Sequence, residues 1–192
     1  MKLRIMLVDA DPQRMALLMD TLQDIGHWVV MRSDETGNLC EHVHEIKPDV
    51  IIIGTDSPTR DTLEHLCVID RDEPRPVVMF THDYDKHKMR AALRAGVSAY
   101  IVDGLESSRV QFIIDIAIAR FEEYQTLKNE LEKATAALAE RKQIERAKGV
   151  VMKRRACSEE QAYQIMRRMA MSSNKKLVEI ADNINTAADI FS

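Results

Sequence analysis

The chain has 192 residues, of which 45% are hydrophobic and 30% are charged, enough for one domain of ordinary size and a smaller second module. The chain is too apolar to be disordered as a whole, and no apolar run reaches the length of a membrane span. Its three cysteines form no C-x-x-C pair, which argues against a disulfide framework or a zinc ribbon. We therefore expect a globular cytoplasmic protein with reduced thiols.

Charge is distributed unevenly along the chain. Between Arg141 and Lys176 there are eleven Lys or Arg and three Asp or Glu, a local net charge of +8, whereas the other residues together carry −12. This asymmetry indicates a basic binding module attached to an acidic body.

The first hundred residues alternate short apolar runs with helical periodicity, the pattern of βαβ units and a parallel sheet. Strands are predicted at 3–8, 28–31, 49–54, 76–80 and 99–102, and helices at 12–26, 37–46, 60–69 and 86–96. Gly26 and Gly96 stand where two of these helices should stop. The simplest fold is a flavodoxin-like sheet of order 2-1-3-4-5, which places any site at the carboxyl ends of strands one and three.

A long helix is predicted from Ser107 to about Arg155, because this stretch contains no Pro and no Gly before Gly149. Its first part carries apolar residues that we expect to pack on the sheet, namely Phe112, Ile113, Ile116 and Ile118. Farther along, apolar residues alternate at spacings of three and four and define a coiled-coil seam of Tyr124, Leu127, Leu131, Ala134 and Leu138. The seam predicts a homodimer, the alternative being a helix packed on its own chain.

The last fifty residues read as a small all-α module made of the end of the long helix and two shorter helices, at 158–173 and 175–187. Ser158 and Gln161 form a capping-box pattern at the start of the first short helix. The expected core of the module is Ala147, Val151, Met152, Ile165, Met169, Leu177 and Ile180. The predicted fold class is thus α/β plus all-α, with domains at 1–120 and 144–192 and a coiled-coil linker at 121–143.

The N-terminal part resembles the receiver domain of bacterial response regulators, through the runs "IMLVDADPQRM", "PDVIIIGTDSP" and "AGVSAYIVDG" and through Thr81 at the end of strand four. The resemblance implies an acyl-phosphate switch. Its parts are an aspartate nucleophile after strand three, a magnesium ion held by acidic residues after strand one, a hydroxyl after strand four and a lysine after strand five. A carboxylate attacks phosphorus only when cations neutralise the phosphoryl oxygens.

This sequence departs from the receiver pattern at three positions. Gly54 stands at the nucleophile, Ala10 at a second metal-binding acid, and Asp103 at the lysine, whose charge is thereby reversed. The predicted degenerate phosphoacceptor pocket consists of Asp9, Gly54, Asp56, Thr81 and Asp103. We expect control without phosphorylation, with magnesium bound only if the pocket still transfers phosphate through Asp56, and no other cofactor or metal.

Other catalytic patterns are weak. The loop "HDYDKH" at 82–87 holds two His and two Asp, but it matches no metal-ligand spacing. The sequence also lacks the common glycine-rich phosphate loops and the nucleophile elbow of hydrolases. We therefore expect a protein that is not an enzyme.

The basic segment closely resembles the ANTAR module of the AmiR/NasT family of transcription antiterminators. The matching stretches are Ala147-Lys148-Gly149, Ser158-Glu159, Ala162-Tyr163, Arg167-Arg168 and Glu179-Ile180-Ala181. The resemblance implies binding to paired hairpins in a nascent leader mRNA, so that RNA polymerase reads through a terminator. The residues expected to contact RNA are Lys148, Lys153, Arg154, Tyr163, Arg167, Arg168 and Lys175, since cations bind phosphates and an aromatic ring stacks on loop bases.

Within that family the chain is most similar to the nitrate-responsive members, which implies target genes of nitrate or nitrite assimilation. It also implies sequestration by a NasS-like or AmiC-like ligand-sensing regulator protein. One alternative is a DNA-binding response regulator switched by phosphorylation, but "SSNKK" lacks the glycine of a tight helix-turn-helix and the following helix is acidic. The other alternative is an interaction adaptor whose receiver-like domain and coiled coil only hold partners.

Overall fold

The structure is a computed structural model that describes residues 2–34, 38–103 and 105–190. It divides into two compact units, Met1–Gln125 and Thr126–Ser192. The three-part division at 1–120, 121–143 and 144–192 stays a prediction. In the described ranges no helix combines the length and the apolar composition that a membrane crossing requires.

The first unit is built on a five-stranded parallel sheet of order β2-β1-β3-β4-β5, so the predicted topology is confirmed. The strands are β1 (Arg4–Asp9), β2 (Trp28–Ser33), β3 (Val50–Thr55), β4 (Val77–Thr81) and β5 (Ala99–Val102). Residues 50–53 of β3 are fully buried, as expected for a central strand covered on both faces.

Seven helices lie in the described ranges. They are α1 (Pro12–Asp24), α2 (Leu39–Ile46), α3 (Arg60–Asp72), α4 (Lys86–Arg94), α5 (Ser107–Arg155), α6 (Glu159–Ser173) and α7 (Leu177–Ile190). The predicted start of α2, at residue 37, lies outside the described residues. Gly26 and Gly96 follow α1 and α4 with φ of +86° and +99°, so both predicted stops are confirmed.

Alternate side chains of the strands divide between two apolar layers. Ile5 and Leu7 of β1 pack with buried residues of α1 and α5, whereas Met6 and Val8 pack with buried residues of α2, α3 and α4. This alternation follows from the two-residue period of a strand. The carboxyl ends of β1 and β3 lie side by side at one edge of the sheet. The predicted pocket lies at this edge.

The face of α5 that packs on the sheet differs from the prediction. Val110, Ile114 and Ala117 are fully buried, whereas Phe112 is 68% exposed and Ile116 is 37% exposed. The predicted Ile113 and Ile118 are half-buried beside that core. The error arose because this stretch has apolar side chains all around the helix, so periodicity alone does not fix which face turns inward.

The second unit has its own core, formed by the end of α5 with α6 and α7. Its buried members are Ala147, Val151, Ala162, Met166, Ala170, Ile180 and Ala181. Met152, Ile165 and Leu177 pack half-buried around it, but Met169 is 45% exposed, so its assignment to the core was wrong. Met166 takes the inward position, one turn earlier on α6 beside Ala162 and Ala170.

The predicted capping box at the start of α6 is confirmed. The Ser158 hydroxyl accepts a hydrogen bond from the Gln161 backbone, and the Gln161 side chain accepts one from the Ser158 backbone. Two exchanged hydrogen bonds satisfy amides that the helix start would otherwise leave unpaired. Ala156, with φ of +48°, makes the turn that separates this cap from the end of α5.

Candidate functional site

The carboxyl ends of β1 and β3 bring Asp9 and Gly54 side by side, since the two residues are register partners in the sheet. They line an open cavity of about 800 Å³ together with Asp11, Arg14 and Asp56. Asp9 is 2% exposed, whereas the Asp56 side chain is 87% exposed at the rim. The cavity therefore has a buried carboxylate at its base and a solvated one at its edge.

Arg14 neutralises the buried carboxylate. Its Nε donates to Oδ2 of Asp9 at 2.6 Å, and a terminal nitrogen donates to Oδ1 at 2.8 Å. The Asp9 side chain is fully buried and the Arg14 side chain is 9% exposed. This two-pronged geometry is the strongest form of an arginine–carboxylate contact. The hydrogen bond to Asp9 is the main cause that raises the pKa of Arg14.

Local structure at the start of α1 places Arg14 for this contact. Asp11 is the N-cap residue, accepting hydrogen bonds from the backbone of Gln13 at 2.8 Å and of Arg14 at 3.4 Å, and Pro12 begins the helix. The sequence reasoning missed Arg14. A usable signal was present, because a cation in the first helical turn opposes the helix dipole and calls for a nearby anion.

Position 54 has room only for glycine, because neighbouring side chains occupy the space that a β-carbon would need. A β-carbon at this position would lie 1.7 Å from Oδ2 of Asp9, 2.3 Å from its Cγ and 2.7 Å from Nε of Arg14. Real β-carbons are not found below about 3 Å. The volume into which a side chain at position 54 would extend is thus occupied by the ion pair of Asp9 and Arg14.

The remaining side chains of the predicted pocket make their own hydrogen bonds and ion pairs. They belong to Thr81, Asp56 and Asp103. The Thr81 hydroxyl donates to the backbone oxygen of Asp56 at 3.0 Å and accepts from the Asp83 amide at 3.1 Å. The Asp56 carboxylate lies 3.5 Å from a terminal nitrogen of Arg14. Asp103 accepts a hydrogen bond from the Tyr84 hydroxyl and pairs with His82, and these contacts lower its pKa, Tyr84 most.

The loop after β4 forms a network of its own. Asp83 accepts hydrogen bonds from Lys88 at 2.8 Å and from Ser57 at 2.6 Å, and the Lys88 contact is the largest cause that lowers its pKa to about 2. Among residues 2–34, 38–103 and 105–190, no group of three or more His, Cys, Asp or Glu is placed to hold a metal ion.

The residues at this edge do not fit the magnesium ion that the receiver resemblance implies. Magnesium needs several hard oxygen ligands. Both oxygens of Asp9 are already bound by Arg14, and Ala10 and Gly54 have no side-chain oxygen to offer. A guanidinium supplies the positive charge that the buried carboxylate needs.

The predicted RNA-contacting residues of the second unit lie mostly on its surface. Tyr163 is 38% exposed, and the exposed cations define a basic surface of Lys153, Arg154, Arg155, Arg167, Arg168, Lys175 and Lys176. In contrast, α7 contains no Lys or Arg and carries Glu179, Asp182 and Asp189. The basic surface therefore belongs to the end of α5, to α6 and to the loop after α6.

Lys148 differs from the other predicted RNA contacts because it is only 8% exposed. Its ammonium group lies 2.7 Å from Glu145 on α5 and 2.6 Å from Glu159 on α6. The hydrogen bond to Glu145, followed by the one to Glu159, raises the pKa of Lys148. Lys148 thus ties the two helices together, and a phosphate contact would have to replace these ion pairs.

The coiled-coil seam is exposed along its length. Tyr124, Leu127, Leu131 and Leu138 are between 52% and 68% exposed, and Ala134 is exposed as well. Large apolar side chains repeated at this spacing are the arrangement that a second helix covers in a coiled coil.

Each of the two parts of the chain matches a known protein family. The family described as "Response regulator receiver domain" matches residues 5–114, and the family described as "ANTAR domain" matches residues 132–184. Over 165 residues the chain is 27% identical to the transcriptional regulatory protein PdtaR of Mycobacterium tuberculosis, which covers 86% of this chain and 80% of that protein.

A second relative is similar over a shorter stretch. Over 59 residues the chain is 49% identical to the nitrate regulatory protein of Klebsiella oxytoca, which is 31% of this chain and 15% of that protein. Among solved structures, the signal receiver domain of a modulated diguanylate cyclase from Desulfovibrio desulfuricans G20 superposes with a TM-score of 0.57 at 16% identity. It covers 65% of this chain and 99% of that one, and it bears on the fold alone.

Proposed function

Since the chain belongs to the response regulator receiver family and carries an ANTAR domain, we propose that it is an RNA-binding transcription antiterminator. The ANTAR domain binds paired hairpins in a nascent leader mRNA in the cytoplasm, and RNA polymerase then reads through the terminator. Similarity to a transcriptional regulatory protein and to a nitrate regulatory protein supports a role in transcription of nitrate or nitrite assimilation genes.

The observation that carries RNA binding is the basic surface of the second unit. Seven exposed cations on α5, α6 and the following loop offer phosphate contacts, and Tyr163 offers a ring for stacking on an unpaired base. A helix-turn-helix reader of duplex DNA would place its last helix in the major groove. The absence of Lys and Arg from α7 therefore favours RNA over promoter DNA.

The geometry at the sheet edge supports control without phosphorylation. The place of the nucleophile holds Gly54, and the ion pair of Asp9 and Arg14 fills the space beside it. Asp56 is solvated at the rim with Arg14 3.5 Å from its carboxylate, and Asp103 stands where the receiver pattern has a lysine. A phosphoryl group on Asp56 would lack the charge neutralisation that acyl-phosphate chemistry requires.

Control then has to come from binding. We assign it to a ligand-sensing regulator protein of the NasS or AmiC kind, with nitrate or nitrite as effector, that sequesters the free antiterminator. The active species is a homodimer joined along the coiled-coil seam, since the exposed apolar side chains need a covering helix.

A transcription assay tests the proposed function directly. A template with the leader and terminator is transcribed with and without the purified full chain, and the same leader RNA is used in a mobility-shift assay over a salt series. Read-through should rise with protein, and affinity should fall steeply with salt. A protein that binds promoter DNA better than leader RNA, or that leaves read-through unchanged, would contradict the proposal.

A further inference from the structure

We propose that a groove between the end of α5 and the outer side of α6 binds one unpaired, amino-bearing base of the RNA. The base groove is lined by Arg155, Cys157, Glu160, Gln164, Ile165 and Arg168. This inference rests on the proposed function and deepens it, because it separates the part of the surface that reads a base from the part that only attracts phosphates.

The size and construction of the groove suit a single nucleotide. Its volume is about 650 Å³, within the range of about 300–1,000 Å³ that is usual for small-ligand sites. The turn at Ala156 and the capping box of Ser158 and Gln161 fix its end. A site held by a cap and a helix is largely formed before a ligand enters, which limits the entropy lost on binding.

The apolar wall of the groove fits the face of a base. Cys157 and Ile165 are half-buried, and both pack against the core of the second unit. Unpaired loop bases can turn out of their stack and lay a flat face on a protein surface, which bases inside a double-stranded stem do not do. The concave wall therefore selects a loop base rather than a stem.

The lining of the groove includes two cations that can bind phosphates. Arg155 and Arg168 are exposed, and Nε of Arg168 donates to the backbone oxygen of Gln164 at 3.4 Å, which leaves its terminal nitrogens for a ligand. Guanidinium groups bind phosphate oxygens through paired hydrogen bonds. Two such groups on one groove match the two phosphates that flank every nucleotide.

The polar groups of the groove indicate which base it takes. The Gln164 amide can both donate and accept, whereas the Glu160 carboxylate can only accept. A carboxylate beside two phosphates is unfavourable unless it receives a hydrogen bond from the ligand. Adenine, cytosine and guanine present an amino group for that contact. Uracil offers only its ring N3–H, which lies between two carbonyl oxygens that repel a carboxylate, so the groove should disfavour uracil.

Protection of Cys157 from alkylation tests the location of the groove. The full chain is treated with N-ethylmaleimide with and without a saturating leader hairpin, and modification at each cysteine is followed by mass spectrometry. RNA should slow modification of Cys157 at least fivefold and leave the exposed Cys67 of α3 unchanged. If the hairpin binds but Cys157 reacts at its free rate, the groove is wrong. If no leader RNA binds at all, the proposed function fails and the groove with it.

Variants and loop substitutions test the chemistry of the groove. Gln164→Ala should weaken hairpin binding about threefold to tenfold, as loss of one hydrogen bond predicts. Gln143→Ala, an exposed glutamine on α5 outside the groove, is the matched control and should bind as the native chain does. An abasic residue at the recognised loop position should remove the difference between native chain and Gln164→Ala.

Glu160→Gln gives a separate readout of base choice. Replacing the recognised loop base with uracil should weaken the native chain several-fold and should weaken Glu160→Gln less, because an amide also donates. Equal loss in both proteins, or a native chain indifferent to the base at every loop position, would overturn the assignment. Thermal unfolding of each variant shows whether the fold is unchanged.

Discussion

The guanidinium of Arg14 holds the buried carboxylate of Asp9 through two hydrogen bonds of 2.6 and 2.8 Å, five residues apart in sequence. The charge that compensates the buried carboxylate of Asp9 is thus part of the chain itself.

Replacing Arg14 should be costly for folding. In Arg14→Ala the Asp9 carboxylate stays buried without a partner, and breaking a buried ion pair in this way typically costs about 3–5 kcal/mol. Urea denaturation of the native chain and the variant measures the loss. The matched control is Arg60→Ala, which breaks the exposed pair with Glu64 on α3 and should change stability far less, because solvent screens an exposed pair. Equal effects of the two substitutions would contradict the role of Arg14.

Substitution of Gly54 should be destabilising even by alanine. The added β-carbon would have to displace Asp9 or Arg14, and forcing extra atoms into a packed site costs about 1–3 kcal/mol or more. Gly149→Ala is the control, because Gly149 lies in α5 and, apart from nearby backbone of its own helix, no atom lies within 4 Å of an added β-carbon. That substitution should stabilise the helix by up to about 1 kcal/mol. Denaturant midpoints of the two variants should therefore move in opposite directions.

Restoring the nucleophile alone should not restore phosphorylation. Gly54→Asp introduces a carboxylate against the Asp9 and Arg14 pair, in a place without a metal site. Incubation with acetyl phosphate and magnesium, followed by intact-mass analysis, should show no phosphorylated species for the native chain or for Gly54→Asp. An aspartyl phosphate on either protein, for example at Asp56, would contradict control without phosphorylation.

Stability should fall in acid partly through Asp83. Its hydrogen bonds with Lys88 and Ser57 lower the pKa from 3.8 to about 2 in the folded chain. A lowered folded-state pKa stabilises the fold above the unfolded pKa, and this contribution is lost as the pH falls through the folded value. Urea midpoints should therefore drop between about pH 4 and pH 2 by more in the native chain than in Asp83→Asn. Lys88→Ala should reduce this drop more than Ser57→Ala, since the Lys88 contact is the larger cause.

The basic residues of the second unit should separate into two classes. Arg154→Ala removes an exposed cation of the basic surface and should lower the slope of log affinity against log salt by about 1 without changing thermal unfolding. Lys148→Met removes the group that joins Glu145 to Glu159, so it should lower the unfolding temperature. Calorimetry and a salt series on the same samples distinguish the classes. If Lys148→Met kept the native unfolding temperature, Lys148 would not join the two helices and would belong with the exposed cations of the basic surface.

How far the sequence predicts this molecule depends on the kind of feature. The strand order followed from apolar runs and short connections, and the capping box followed from Ser158 and Gln161, because both are local patterns with one structural outcome. The inward face of α5 did not follow, since Phe112 and Ile114 are both apolar and only packing decides between them. The partners of Arg14 and Lys148 did not follow for a related reason: a cation in a helix usually faces solvent, and only the fold brings a buried carboxylate to Arg14 and both Glu145 and Glu159 to Lys148. A contact of Lys148 with RNA stays a prediction.

Dimerisation should depend on one face of α5. Ala134 is on the coiled-coil seam and Ala136 is two residues away on the opposite side of the helix, yet both are exposed in the single chain. Ala134→Glu would place a charge in the dimer interface, whereas Ala136→Glu would place the same charge in solvent. Sedimentation equilibrium should give a monomer, or a much weaker dimer, for Ala134→Glu and a native dimer for Ala136→Glu. At protein concentrations low enough for both variants to be monomers, they should unfold at the same temperature, because both alanines are exposed on their own chain. If both remain dimers, the contact lies elsewhere, and the exposed Phe112 and Ile116 would be the next residues to replace.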